Sequence, residues 1–342
     1  MTLQELRETA HAMVAPGKGI LAMDESTPTC DARFQPLGIA KTEASRRAYR
    51  ELLATAQGLS EYISGAILYD ETLRQKISDG RSFPQCLAEQ GILPGIKVDT
   101  GAKALAGHPG EKVTEGLDGL RERLAEYREL GARFAKWRAV ITIGDGGLPS
   151  RAAIEANAHA LARYAALCQE AGLVPIVEPE VLMNGEHSIE RCSEVSEETL
   201  RTVFYELGRQ AVALEGIVLK PNMVISALES SDRAGVQQVA EATVRCLTTT
   251  VPSAVPGIAF LSGGQGDEEA TAHLDAMNRL SDRHPWALTF SYGRALQRRA
   301  LQTWSGEASN VPEAQRALLH RARLNGAGAL GRYAEDMEQN MA

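Results

Sequence analysis

Short apolar runs recur along this chain, each closed by a charged or hydroxyl side chain. Most are followed by a longer stretch with apolar residues every three to four positions. The runs fall at 20–23, 63–69, 93–98, 134–138 with a weaker continuation to 143, 174–180, 216–219, 257–262 and 286–291. Each is too short for a helix and apolar enough to be covered on both faces, which predicts strands of a parallel sheet. The stretches between them predict helices over 43–58, 115–131, 150–172, 196–214, 232–250 and 267–280, several with a Ser or Thr cap or a glycine stop. A helix over 1–14, with Leu3, Leu6 and Ala10 on one side, precedes the first run. Helices over 294–304 and 312–326 follow the last.

Eight β-α units in succession predict an α/β protein of the closed (β/α)8 type, the TIM barrel. It would fill one domain over 1–333, with a short polar tail over 334–342. An open doubly wound sheet is the competing architecture, but no G-x-G-x-x-G follows the first run and no phosphate-loop motif occurs. One spacing fits the barrel. Lys136, Glu178, Lys220 and Ser262 lie 42 residues apart, as side chains at equal heights on successive strands would.

In such a barrel the polar strand ends converge on one mouth. Here they supply Asp24, Lys97, Lys136 with Arg138, Glu178 with Glu180, Lys220, Ser262 and Ser291. Strand alternation sets Lys136 and Arg138 on one face and Trp137 on the other, and sets Glu178 beside Glu180. Any one of these charges alone reads as a structural ion pair. Seven in one ring do not, because each buried charge costs several kcal/mol unless compensated.

Lys220 ends an apolar run and is stopped by Pro221. There it can pair with a carboxylate, reach water, or lose its proton. The last outcome makes it a nucleophile toward carbonyls, and burial and the cation Lys136 both favour the neutral amine. These features alone do not choose between Lys220 and Lys136. After the seventh and eighth runs, Ser262-Gly263-Gly264-Gln265-Gly266 and Ser291-Tyr292-Gly293-Arg294 are glycine-bearing turns into helices. Barrels often hold phosphate at this place, on backbone N–H groups and a helix N-terminus. Arg33, Thr29 and Lys97 form a candidate second anion site on the other side of the mouth.

Composition narrows the partners. The chain has 342 residues, 44% hydrophobic and 23% charged, with net charge −8 and no basic block. That describes a soluble globular protein and argues against nucleic acid and anionic membrane as partners. Five dispersed cysteines without a C-x-x-C pair argue for a reducing compartment. No run approaches about 18 apolar residues, so the cytoplasm is expected. The seven histidines show no metal-ligand spacing, and neither a metal nor another cofactor is expected.

Eight stretches also resemble a known family. GILAMDEST at 19–27, GIKVD at 95–99, GLDGL at 116–120, FAKWR at 134–138, PIVEPE at 175–180, LKPNMV at 219–224, FLSGGQ at 260–265 and SYGRAL at 291–296 are similar to motifs of class I fructose-bisphosphate aldolases. The likeness runs from about residue 16 to residue 333. It implies a (β/α)8 barrel that cleaves a phosphosugar, fructose 1,6-bisphosphate, to dihydroxyacetone phosphate and glyceraldehyde 3-phosphate in glycolysis and gluconeogenesis, without a metal.

By the same resemblance Lys220 forms the Schiff base, and Glu178, assisted by Glu180, moves protons at the carbinolamine. Asp24 takes the C4 hydroxyl proton and Lys136 steadies charge. One phosphate would rest on Ser262, Gly263 and Arg294, with Gly264, Ser291 and Gly293 alongside. Ser26, Thr29, Arg33, Lys97 and Arg138 would hold the other phosphate and the hydroxyls. A homo-oligomer is also implied, commonly a tetramer in the family, with Asp118 at a subunit contact.

Two departures stand out. Pro28-Thr29 replaces the family's common Gly-Ser, keeping the hydroxyl but stiffening a loop. Many members close a tail with a tyrosine, whereas the last tyrosine here is Tyr333. Another lysine-dependent aldolase or a transaldolase would not need two anion sites. An inactive scaffold barrel would be expected to lack Lys220, Asp24 or Glu178.

Overall fold

A computed structural model describes residues 2–280 and 284–339. Residue 1 of the expected first helix and residues 340–342 of the expected tail lie outside them. Helix α1 (Leu3–Met13) precedes β1 (Gly19–Met23), α2 (Thr27–Phe34) and α3 (Glu43–Ala54). Strand β2 (Ile63–Leu68) leads to α4 (Asp70–Arg74) and α5 (Phe83–Glu89). After β3 (Leu93–Lys97) come β4 (Gly101–Ala104), β5 (Lys112–Glu115) and α6 (Leu120–Glu129). Then follow β6 (Phe134–Ile141), α7 (Arg151–Ala171), β7 (Val174–Val181) and α8 (Ile189–Arg209). The chain continues through β8 (Val218–Leu219), α9 (Val236–Thr250), β9 (Gly257–Phe260) and α10 (Asp267–Asn278). It ends with β10 (Ala287–Tyr292), α11 (Arg294–Trp304) and α12 (Val311–Ala329).

Eight parallel strands close into a barrel in the order β1-β10-β9-β8-β7-β6-β3-β2, while β4 and β5 form a separate antiparallel hairpin. The core has two layers. Inside the barrel, Ile20, Ile67, Phe134, Val174, Ile176, Val218 and Ala259 pack together with Leu6, Ala10 and Met13 of α1 and the following Val14. A Cβ added at Gly257, the first residue of β9, would lie 2.7 Å from Val14 Cγ1. The first helix therefore closes the N-terminal end of the barrel and leaves the opposite end open. Leu3, expected on its apolar side, is 43% exposed; the buried face is Leu6, Ala10 and Met13. The outer layer sets strand residues such as Trp137, Val177, Leu219 and Phe260 against helix residues such as Leu161, Leu200 and Leu274.

Local chemistry explains most element ends. Thr42 Oγ1 accepts from Ser45 N at 3.1 Å to open α3, and Ser150 Oγ accepts from Ala153 N at 3.2 Å to open α7. Gly172, in the left-handed region, closes α7. Helix α3 stops at Ala54 rather than reaching Gly58, and α6 starts at Leu120 rather than 115, because 112–115 is used by the β4–β5 hairpin. Ser188 caps α8, which starts at Ile189, seven residues before the expected 196, and α9 opens later, at Val236. The hairpin and helices α2, α4 and α5 carry too little apolar periodicity to be read from sequence.

The 42-residue spacing does not mean equal height. Val177 pairs with Leu219, so Glu178 and Lys220 do stand level. Lys136, however, pairs with Ile176, and Leu219 with Ile258, so Lys136 sits lower and Ser262 higher. The stagger that closes a barrel slips the register from strand to strand.

Candidate active site

The C-terminal strand ends open on a cleft of about 970 Å³. Asp24, Ser26, Thr29 and Arg33 line it from β1 and α2, and Lys97 from β3. Lys136 and Arg138 enter from β6, Glu178 and Glu180 from β7, and Lys220 from just beyond β8. Ser262, Gly263 and Gly264 follow β9, while Ser291, Gly293 and Arg294 come from β10 and the start of α11. The structure thus gathers every residue expected at the site.

Four buried charges form an alternating chain across the floor. Lys220 Nζ is 3.2 Å from Glu178 Oε1, Glu178 Oε2 is 3.4 Å from Lys136 Nζ, and Lys136 Nζ is 2.8 Å from Asp24 Oδ2. Burial would raise the pKa of Asp24, but Lys136 and Lys220 override it and hold the carboxyl down to about 2. Burial likewise opposes the charge of Lys136, yet Asp24, Glu178 and Asp99 outweigh it and keep the ammonium above the ordinary lysine range. The two lysines therefore do not face each other as bare cations; Glu178 stands between them. Glu180 pairs with Arg138, and Lys97 Nζ lies 2.6 Å from Asp99 Oδ1.

The rim brings a glycine turn together with arginine side chains. Gly263 and Gly264 take φ of +51° and +85°, and a Cβ on Gly263 would collide with the end of Met183, so the turn requires glycine. Ser291 Oγ is buried without a hydrogen-bond partner among the described residues. Burial, then Arg298 and Arg33, lower the basicity of Arg294, which places three guanidinium groups in one neighbourhood. This corrects the expected grouping. β1 adjoins β10, and Arg33 Nη2 lies 3.9 Å from where a Cβ of Gly293 would be, so Arg33 belongs with Arg294. Lys97 sits two strands away, its backbone paired with Lys136. Thr29 and Arg33 are one turn apart on α2, whose first turn contains Pro28, where a missing N–H removes no helical bond. Pro28 thus starts a helix rather than stiffening a loop.

Sequence reading passed over the groups that aim these side chains. Glu25 is held between Arg33 and the buried Arg50, and Asp99 holds Lys97 while accepting from Arg138 N at 3.2 Å. Glu25 adjoins Asp24 in GILAMDEST and Asp99 stands two residues after Lys97 in GIKVD, and that closeness was the only available signal. Asn222 Oδ1 accepts from Val181 N at 3.0 Å, and its Nδ2 donates to Ser196 Oγ at 3.1 Å, which ties the end of β7 to α8. Tyr333 is buried outside the cleft, its hydroxyl donating to Glu338 Oε1 at 2.9 Å.

Comparison with known proteins agrees with this architecture. The family model described as fructose-bisphosphate aldolase class-I matches residues 5–342. A probable fructose-bisphosphate aldolase class 1 of Xanthomonas campestris pv. campestris is 61% identical, covering 97% of this chain and 99% of its own length. The fructose-bisphosphate aldolase of Dictyostelium discoideum is 55% identical over 96% of this chain and 92% of its own. A solved structure of Plasmodium falciparum fructose-bisphosphate aldolase, in complex with TRAP and a small-molecule inhibitor, matches with TM-score 0.95 at 49% identity. It covers 97% of this chain and 95% of that one. The chain belongs to the class I fructose-bisphosphate aldolases, carbon–carbon lyases that reversibly cleave fructose 1,6-bisphosphate through a lysine Schiff base.

Proposed function

We propose that Lys220 is the Schiff-base nucleophile in the reversible cleavage of fructose 1,6-bisphosphate, and that the alternating chain of charges supplies its proton transfers. Glu178 takes a proton from the Lys220 ammonium, and the amine so freed attacks the C2 carbonyl. Glu178, in contact with Nζ, gives a proton to the carbinolamine oxygen, which leaves as water and yields the iminium; Glu180 holds Arg138 beside it. Electrons of the C3–C4 bond then flow to the iminium nitrogen, giving the enamine and the aldehyde. Asp24, ionised at neutral pH, accepts the C4 hydroxyl proton, which turns acidic as that carbon becomes a carbonyl. Lys136 steadies the charge on both carboxylates.

Ser262, Gly263, Gly264, Ser291, Gly293 and Arg294 receive one phosphate, with Arg33 on the same side. Ser26, Thr29, Lys97 and Arg138 meet the far end of the sugar. Holding both ends puts the scissile bond over the lysine, and that positioning supplies much of the rate. The observation that carries this reading is Glu178, 3.2 Å from the buried Lys220 nitrogen and 3.4 Å from that of Lys136, at the floor of a cleft lined by Arg33 and Arg294.

The test is covalent trapping. Borohydride with dihydroxyacetone phosphate adds the reduced adduct at Lys220, and Lys220→Met abolishes turnover with the fold retained by circular dichroism. An adduct on another lysine would overturn the assignment. Among the described residues no helix is long and apolar enough to cross a membrane. A cytoplasmic setting and a homo-oligomer complete the reading, the latter measured by light scattering.

A further inference from the structure

Gln265 is almost fully buried, yet its side chain is wholly committed to polar contacts. Its Nε2 donates to the Ser262 carbonyl at 2.9 Å, where the Gln265 backbone N–H also arrives at 3.0 Å. The same Nε2 lies 3.6 Å from the sulfur of Met223, three residues beyond Lys220. Its Oε1 is 2.6 Å from Nδ1 of His273, a buried residue of α10. An amide oxygen only accepts, so Nδ1 carries the proton, and burial, which pushes this imidazole down to about 4, keeps it neutral.

We propose that Gln265, oriented by His273, is a positioning residue that fixes the Ser262–Gly263 peptide relative to Lys220, so that a phosphate held there sets the ketone over the amine. The proposal deepens the functional reading above and rests on its assignment of phosphate to this turn. The geometry follows from the planar trans peptide, in which C=O and N–H point to opposite sides. With the Ser262 carbonyl drawn toward buried Gln265, the Gly263 N–H is turned the other way, to the side of the cleft that Gly263 lines. The contact with Met223, reinforced by the bond from Leu261 N to Pro221 O at 3.1 Å, ties that turn to the segment carrying Lys220. A rigid distance between grip and nucleophile is what makes a remote phosphate accelerate attack; a displacement of about 1 Å can cost about 10²-fold.

The experiment compares rates of borohydride trapping at Lys220 with dihydroxyacetone phosphate and with unphosphorylated dihydroxyacetone, and reads their ratio. Gln265→Met keeps the side chain's shape without its donor; it lowers the ratio about tenfold while dihydroxyacetone trapping stays within about twofold. His273→Phe acts in the same direction, and His273→Gln, whose amide can donate to Oε1, restores the ratio; this pair carries the test if Gln265→Met does not fold. Arg294→Ala serves as the reference for loss of phosphate contact. If Arg294→Ala collapses the ratio and the Gln265 and His273 variants do not, the positioning role is wrong. Equal slowing with both ketones reduces Gln265 to packing and also overturns it. An unchanged ratio in Arg294→Ala defeats the phosphate assignment itself, and the positioning role with it.

Discussion

Asp24, Lys136, Glu178 and Lys220 alternate in sign, so each ammonium has a carboxylate and Glu178 serves two. Such a chain tolerates burial only while it is complete, because removing one member leaves another charge uncompensated. Lys136→Met removes the link shared by Asp24 and Glu178. Turnover should fall about 10²–10³-fold, the range for losing one preorganised electrostatic group. Lys136 is the largest influence holding the Asp24 pKa below its ordinary value, so its loss raises that pKa. The acid limb of the kcat/KM profile then moves to higher pH. Steady-state kinetics across pH measures both, and a kcat within about threefold of the parent would place Lys136 outside the chemistry. These side chains were legible because each ends an otherwise apolar run, where a charge has no packing reason to be. Glu25, Asp99 and Gln265 were not, since a residue that acts by aiming another carries no pattern of its own.

At the scale of elements, β2, β3 and β6 meet where the Phe134 ring fills the barrel interior. A Cβ on Gly95 would land inside that ring, so glycine at this point of β3 makes room for phenylalanine on β6. Gly95→Ala should destabilise the fold by about 1–3 kcal/mol, as overpacked cores do. Thermal unfolding reads this as a lowered midpoint, and Phe134→Leu in the same chain should recover part of the loss. An unchanged midpoint would mean that the two strands part at no cost. The strands were readable because burial on both faces leaves continuous apolar runs, and helices such as α7 because cap and glycine stop bracket them. What sequence could not give was relative placement. Register slips around the barrel, so equal spacing misled on height. Closure sets β1 beside β10, so Arg33 joined Arg294 rather than facing it.

For the whole molecule, the groups that order the site also govern how the fold meets acid. Asp24 has a depressed pKa, so its stabilisation is complete above about 3.8 and disappears as pH falls toward about 2. His273 acts earlier. Its folded pKa of about 4 lies below the unfolded value of 6.5, so the unfolded chain takes the proton first. Stability is full above 6.5 and declines as pH falls through about 4. That difference corresponds to roughly 3 kcal/mol for a group this deeply buried. The charges facing His273 are Glu269, on its own helix, and Arg233, before α9; they push in opposite directions and rank after burial. His273→Gln keeps a donor for Gln265 and cannot be protonated in this range. Denaturant unfolding at about pH 7 and about pH 4.5 should show the parent losing roughly 2–3 kcal/mol more than the variant. The buried histidine is thus a neutral donor at neutral pH and a point of acid weakness below it. Equal losses in the two proteins would show that His273 is already free to charge within the fold, and its proton could then not be counted on to hold Gln265.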